Sequence, residues 1–308
     1  MHHNWSAARL PGPARLTHHG LMWAMQRLVP AVALICTAGV AVAGEAGSGR
    51  VLLQPPVQVI PSPITDRFAV TVRYSSPMMQ TFFRYDDPDD PSEVGTPFYI
   101  EDTLGLKDRM HQGSIDMRFR ILERHKILAQ YSQQSRTAVK ELELDEPLRF
   151  GSTVFDNGDT LHSQMEQRKL DVVYTYSFLH TQRFEAGFGL GLHLLQFTGT
   201  LEEPEEFITE PLDTAGPAAS LAGDFTWRVT RRWSLNAEGQ WLRGTVADVK
   251  GEYFSWRANL QYRAARNMAI GLGYSGTYYE VDSADPDFFS GYLWIHNHGP
   301  EAFIRVSF

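Results

Sequence analysis

Apolar and polar residues alternate along the chain from Arg67 to the C-terminus. In the clearest run, 184–194, Phe, Ala or Leu occupies every even position, and Glu, Gly or His occupies the odd positions between them. A period of two residues is that of a β-strand whose two faces meet different surroundings. Runs of this kind recur, and the connections between them are alternately short and long. The pattern predicts an antiparallel sheet of consecutive strands.

Ten strands are predicted in this way. Their alternating parts lie at 67–84, at 115–121 where the second strand ends, and at 127–144, 170–178, 184–194, 221–229, 233–241, 254–262 and 268–275, and the last strand ends at Phe308. Ten is an even number, so both termini lie on one side, and all the short turns fall on that side. Residues 94–114 fit either the upper part of the second strand, bulged at Gly105, or a separate piece of loop. Counts of eight or twelve strands therefore also remain open.

The two faces of these strands differ in composition. One face carries Leu, Phe, Trp and Tyr, and the other carries charged and polar residues and glycine. Each run is long enough for the roughly 9–11 tilted residues with which a β-strand crosses a membrane. We therefore predict an all-β fold, a transmembrane antiparallel up-and-down β-barrel of about ten strands. A soluble β-sandwich is the alternative, but it does not explain outward rows of Leu and Phe.

The N-terminal part predicts export. Residues 28–43 are apolar, follow Arg27 and end in Ala41-Val42-Ala43, which is typical of a cleaved signal peptide. We expect a signal peptide at 1–43, an irregular periplasmic segment at 44–66 and the barrel at 67–308. Cys36 is the only cysteine and lies within the signal. The mature chain would then contain no disulfide and no thiolate metal site.

Negative charge is concentrated in the connections that are predicted to be long. The chain has a formal net charge of −8. Its acidic clusters lie at 86–93, 141–146, 202–206 and 282–287. Because no basic stripe is present, we do not expect nucleic acid as a partner. We expect no cofactor either.

The last strand resembles the assembly signal of Gram-negative outer-membrane barrels. Ala302, Ile304, Val306 and Phe308 form its apolar face, and Phe308 is the terminal residue. The resemblance implies a place in the outer membrane, recognition by the barrel-assembly machinery, and contact with membrane lipids and lipopolysaccharide.

Three stretches are similar to a family of uncharacterised proteobacterial outer-membrane barrels. They are 100–106, which matches an E-D-D-L-G-L motif with Thr103 in place of the second Asp, 119–126 with its Arg-His turn, and 150–158. The resemblance covers about the first half of the barrel and implies fold and location but no activity.

Charged residues on the inward face are the candidate functional residues. They are Arg73, Asp116, Arg118, Lys169, Asp171, Glu185, Asp224, Arg228, Glu238, Arg257 and Arg305. Because both signs occur on neighbouring strands, they predict either an ion-pair network that fills the barrel or a polar channel.

The function that follows is passive: a structural barrel or a narrow, cation-preferring pore. The alternative is an enzyme that acts on lipopolysaccharide or peptides at the extracellular rim, where His162 and Ser163 are adjacent. No nucleophile elbow or third residue accompanies them, so no catalytic residue is assigned. His296 and His298 share a strand face but lack a third ligand, so no metal site is assigned either. The solute, any ligand and the oligomeric state stay open.

Overall fold

The computed structural model describes residues 62–90, 92–204, 208–246, 248–285 and 289–308. The predicted signal peptide and residues 44–61 of the predicted periplasmic segment lie outside the described residues. No helix in these ranges is both long enough and apolar enough to cross a membrane.

The described chain consists almost entirely of strands. They are β1 (Phe68–Ser75), β2 (Met78–Tyr85), β3 (Phe98–Tyr99), β4 (Gln112–Leu122), β5 (His125–Glu141), β6 (Leu148–Phe150), β7 (Thr153–Phe155), β8 (Thr160–His180), β9 (Phe184–Glu203), β10 (Ile208–Arg228), β11 (Trp233–Val246), β12 (Val249–Ala265), β13 (Met268–Asp285) and β14 (Phe289–Ser307). One short helix, α1 (Ile100–Thr103), follows β3.

Ten of these strands close into a ring. The order is β1, β4, β5 and then β8 to β14, and each strand pairs antiparallel with the next. The ring closes because β14 also pairs with β1, with Val70 opposite Val306. The predicted antiparallel barrel of about ten strands is therefore confirmed. We call the end that holds Arg67 and Phe308 the terminal end, and the opposite end the far end.

The first predicted strand is broken into β1 and β2 at Ser76 and Pro77. Its first part, β1, pairs with β14 from Glu301 to Ser307, and its second part, β2, pairs with β14 from Gly291 to His298. Pro77 has no N–H to donate, so the ladder is interrupted there. The Ser76 N–H still reaches the Pro300 carbonyl at 3.1 Å.

Residues 94–111 form a separate segment of the barrel wall, whereas residues 112–114 belong to β4, the second strand of the ring. After α1 the chain runs beside β2, where the Met79 N–H donates to the Asp108 carbonyl at 2.7 Å and the Met110 N–H donates to the Pro77 carbonyl at 3.1 Å. On the other side Arg136 of β5 binds Glu101 at 2.5 Å. The segment therefore lies between β2 and the far half of β5.

The far half of the barrel encloses an apolar cluster. Its members come from the strand faces, from the 98–110 segment and from the β6–β7 hairpin; they include Phe83, Phe98, Ile100, Leu104, Leu142, Leu148, Phe150, Phe155, Leu161, Phe197, Leu201, Leu212 and Leu293. Burial of this much apolar surface away from water stabilises the far half of the barrel.

This packing also explains a difference from the predicted connections. Strands β9 and β10 continue to Glu203 and from Ile208, so Glu202 and Glu203 of the acidic cluster lie at the end of a long strand pair, and residues 205 and 206 of that cluster lie outside the described residues. The strands continue because Phe197, Leu201 and Leu212 face inward and pack in the apolar cluster. In the same way β13 extends to Asp285.

The inward glycines of β9 do not leave free space. A Cβ on Gly191 would lie 2.6 Å from the Ser220 Oγ, and a Cβ on Gly187 would lie 2.6 Å from the Asp224 Oδ1. A Cβ on Gly189 would lie 1.8 Å from the Tyr174 carbonyl oxygen. These glycines therefore make room for close neighbours on the adjacent strands.

Candidate functional site in the barrel lumen

Arg73 is the centre of a buried charge cluster. Its Nε donates to the Asp116 Oδ2 at 2.8 Å, and its Nη1 donates to the Glu301 Oε1 at 2.9 Å. The guanidinium carbon lies 4.8 Å from the centre of the Phe303 ring. These residues come from β1, β4 and β14, which are neighbours in the ring, and strand alternation turns all of them inward. Arg73 thus compensates two carboxylates that water cannot reach.

Other ion pairs of the cluster cross the lumen. Arg118 binds Glu238, and their strands β4 and β11 are on opposite sides of the ten-strand ring. Arg257 of β12 donates to Glu301 at 3.0 Å and lies 3.7 Å from Glu238. It also donates to Gln130 of β5 at 3.4 Å, again from the opposite side. These ion pairs and hydrogen bonds therefore connect strands on opposite sides of the barrel.

A second cluster lies nearer the terminal end. Arg120 binds both oxygens of Glu185, at 2.7 and 2.8 Å. Lys126 binds Asp224 and lies 3.4 Å from the Glu185 Oε1. The Ser177 hydroxyl donates to the same Glu185 oxygen at 2.6 Å. Two cations and two carboxylates from four different strands therefore neutralise one another.

The remaining predicted positions lie at the terminal end. Arg305 is buried, with its Nη2 3.8 Å from the Asp66 Oδ2, and Asp66 also binds Arg263. Arg228 is half-buried beside the turn at 229–232. Phe308 is 68% exposed and its ring stacks on Phe68 at 6.5 Å.

Several charged residues of the network were absent from the sequence-based selection. They are Asp66, Arg120, Lys126, Arg263 and Glu301. For the residues on strands, alternation provides the missing signal: Glu301 is two positions before the inward Phe303, and Arg263 is two positions after the inward Gln261. Asp66 precedes β1, where no periodicity could indicate its direction.

A chain of polar side chains connects β8, β9 and β10 within the lumen. The His193 Nδ1 lies 2.8 Å from the Asp171 Oδ1, and its Nε2 lies 2.7 Å from the Ser220 Oγ. Asp171 is directly opposite His193, whereas Ser220 is opposite Gly191. Because Gly191 has no side chain, the His193 imidazole can extend over it and contact the Ser220 hydroxyl. All three side chains are buried.

The hydrogen-bond partners orient the His193 ring. A carboxylate only accepts, so the Nδ1–H of His193 donates to Asp171, and Nε2 faces the Ser220 hydroxyl. Lys169 binds the other oxygen of Asp171 at 2.9 Å. The Tyr253 ring packs against the imidazole with centroids 4.7 Å apart. Sequence reasoning placed Asp171 and Lys169 in the lumen but did not connect them with His193 and Ser220.

The residues considered at the rim do not form such an arrangement. His162 is exposed on the outer face of β8, while Ser163 is buried on the inner face, so the two side chains point in opposite directions. They therefore cannot act as a base and a nucleophile toward each other. The His296 and His298 rings are 5.2 Å apart, and His298 Nδ1 bonds to the Tyr274 hydroxyl at 2.7 Å. Within the described residues no three His, Cys, Asp or Glu side chains gather as metal ligands.

The acidic connection after β2 uses its carboxylates to form turns. Asp87 accepts from the Asp89 N–H at 2.8 Å, and Asp86 accepts from Arg84 at 2.9 Å. Hydrogen bonds from the hydroxyl and the N–H of Ser92 lower the pKa of Asp90. These carboxylates are partly occupied with local donors, which weakens their attraction for ions in solution.

No protein-family model and no curated protein matches this chain. Among solved structures, it is similar to the outer membrane protease OmpT from Escherichia coli, with 9% identity over 79% of this chain and 97% of that chain and a TM-score of 0.49. It is also similar to Ail, the attachment invasion locus protein of Yersinia pestis, with 8% identity, 78% and 99% coverage and a TM-score of 0.34. Neisserial surface protein A has 10% identity, 78% and 97% coverage and a TM-score of 0.33.

Likenesses at this level assign neither a family nor an activity. The architecture is therefore judged from this chain's own strands. A closed ring of ten strands with an apolar outer face and a charged interior fits an integral outer-membrane barrel.

Proposed function

We propose that the chain is an integral outer-membrane barrel with a passive, structural role and a lumen that is closed to hydrated ions. The observation that supports this most directly is the Arg118–Glu238 ion pair, which joins strands on opposite sides of the ring. A side-chain bridge across the full width of a ten-strand barrel leaves no wide axial path.

Two layers contribute to the closure. The charged clusters occupy the terminal half, where Arg73, Arg120 and Lys126 each bind carboxylates on neighbouring or more distant strands. The apolar cluster fills the far half, and the β6–β7 hairpin adds Phe150 and Phe155 to it. A hydrated ion would have to displace paired charges in one layer and would lose its water in the other.

The outer face supports the membrane location. Large apolar side chains such as Val72, Leu190, Leu272 and Ile304 are exposed around the ring. A continuous apolar band of this kind is unfavourable in contact with water but favourable in contact with lipid. We also propose that Phe308, exposed on this face, is the signal for the barrel-assembly machinery, and that lipids and lipopolysaccharide surround the band.

Conductance tests the closed lumen. Refolded protein in a planar bilayer should give no resolved current steps in 1 M KCl, under conditions where a general porin conducts. The double variant Arg118→Gly with Glu238→Gly removes the bridge and should increase ion passage, because the charged layer loses its cross-lumen contact. Steady steps from the unmodified protein would contradict the closed barrel and favour the narrow pore, whose expected cation preference a reversal potential in a KCl gradient would measure.

Labelling of single cysteines tests the orientation. If Cys36 is removed with the signal peptide, the mature chain has no thiol of its own, so Asp89→Cys and Arg231→Cys each introduce one site at opposite ends of the barrel. We expect a membrane-impermeant maleimide to label Asp89→Cys on intact cells, and Arg231→Cys only after the outer membrane is opened. Labelling of Arg231→Cys on intact cells would reverse the proposed orientation.

A further inference from the structure

We propose that Ser220, His193 and Asp171 form a nucleophilic relay inside the barrel, with Ser220 as the attacking group, which acts on small, uncharged acyl esters. This goes beyond the closed, structural barrel, because it assigns a chemical activity to the lumen. The proposal does not depend on the rim residues His162 and Ser163.

The geometry carries the proposal. A nucleophilic serine needs a neutral imidazole nitrogen within about 2.6–3.2 Å and a third group that orients the base. The Ser220 Oγ lies 2.7 Å from the His193 Nε2, and the Asp171 Oδ1 lies 2.8 Å from the Nδ1. Because each residue is on a different rigid strand, the three atoms are held in line by the sheet, not by a mobile loop.

The surroundings hold the base in place. Lys169 binds the second oxygen of Asp171, and Tyr253 packs on the imidazole. Gly191 fixes the spacing, since a Cβ there would lie 2.6 Å from the Ser220 Oγ and 3.1 Å from the His193 Nε2. Any side chain at this position would separate the serine from the base.

A small cavity next to the relay limits the substrate. It measures about 80 Å³, and its lining includes Gln240 and Lys169 but not Ser220, His193 or Asp171. The Gln240 Oε1 lies 3.5 Å from the Ser220 Oγ, so this amide stands between the nucleophile and the cavity and must move aside for a substrate to reach Ser220. The volume suits an acetyl-sized acyl group, and a long acyl chain would not fit. A neutral ester is favoured because the charged groups nearby are already paired.

The chemistry follows the usual balance of acyl transfer. The Ser220 Oγ attacks the ester carbonyl carbon while its proton moves to the His193 Nε2. The C–O bond of the ester then breaks, and the leaving alkoxide takes that proton to form the alcohol. Water attacks the resulting acyl-serine with His193 as the base again, which releases the acid and restores the Ser220 hydroxyl. In the resting barrel the Gln240 Oε1 accepts from the Ser220 hydroxyl, so Gln240 has to turn its Nε2–H toward the oxyanion to stabilise it.

Methanesulfonyl fluoride is a suitable probe because it is small, neutral and selective for activated serines. Attack by the Ser220 Oγ displaces fluoride and leaves a sulfonylated serine, which peptide mass spectrometry locates. Ser163 is a matched internal control, since both serines are inward and 4% exposed but Ser163 has no hydrogen-bond partner. We expect Ser220 in the refolded barrel to react at least about 100-fold faster than Ser163, the usual gain from a positioned base.

Two variants complete the test. His193→Gln should reduce labelling of Ser220 to the level of Ser163, and Ser220→Ala should abolish release of acetate from methyl acetate, followed by proton NMR. The folded state of each variant is checked by its heat-dependent migration in cold SDS gels. Equal labelling of Ser220 and Ser163, or labelling only after unfolding, would overturn the relay. The conductance result tests the closed lumen separately, so the two proposals can fail independently.

Discussion

Arg73→Met should destabilise the barrel by about 3–5 kcal/mol, the loss expected when one partner of a buried ion pair is removed. The Asp116 and Glu301 carboxylates both bind this guanidinium and are buried in the lumen. Methionine replaces the aliphatic part of the arginine side chain but carries no charge, so two carboxylates would be left with less compensation. Urea unfolding of protein refolded into vesicles measures the change in the free energy of unfolding.

Arg243→Met is the control for this substitution. Its side chain is 72% exposed, and its nitrogen lies 3.7 Å from the Glu252 carboxylate. Pairs of this kind contribute about 0–1 kcal/mol. Adding Asp116→Asn to Arg73→Met should cost less than the sum of the two single changes, because the two groups interact directly. Equal losses for Arg73→Met and Arg243→Met would show that the lumen cluster is not as dry as its burial indicates.

Local alternation was enough to predict the strands and their faces. On β14 the outward positions Ala302, Ile304 and Val306 are exposed, and the inward positions Phe303 and Arg305 are buried, as the period of two requires. Each such assignment depends only on residues two positions apart. The fold class was therefore accessible from the sequence.

The contacts across the lumen depend on quantities that no local pattern contains. Arg118 and Glu238 are 120 residues apart, and whether they meet is determined by the number of strands and their stagger around the ring. The Ser220–His193–Asp171 relay similarly requires the registers of β8, β9 and β10 to be correct together. A shift by one residue in either pairing would turn one member toward lipid.

The break in the first strand shows a second feature that local sequence patterns do not predict. Pro77 was visible in the sequence as a residue that cannot donate a hydrogen bond. Its consequence depends on β14, which pairs with β1 below the break and with β2 above it. The 94–111 segment then lies beside β2, where Glu101 accepts from the Thr81 N–H at 2.8 Å. A prediction made one strand at a time does not include contacts between distant segments, so it could not place this segment beside β2.

Leu190→Arg should destabilise the barrel by about 2–4 kcal/mol if its position is near the middle of the membrane, where a charge on the lipid face is most costly. Leu190 is 62% exposed on the outer face of β9, and its neighbours across the ladders are Tyr174 and Leu221. These neighbours are also outward and apolar, so lipid surrounds the site in the proposed membrane position. Unfolding in vesicles measures the loss.

Val139→Arg distinguishes the membrane from simple exposure. Val139 is 64% exposed, almost the same as Leu190, but it is near the far end of β5, opposite His162, which in turn pairs with Glu202. We propose that this far end lies in water, so arginine there should cost less than about 1 kcal/mol, as near the membrane surface. Because the two side chains are almost equally exposed in the isolated chain, the surrounding medium should separate the two variants. Equal and small losses would mean that the apolar band around Leu190 does not face lipid.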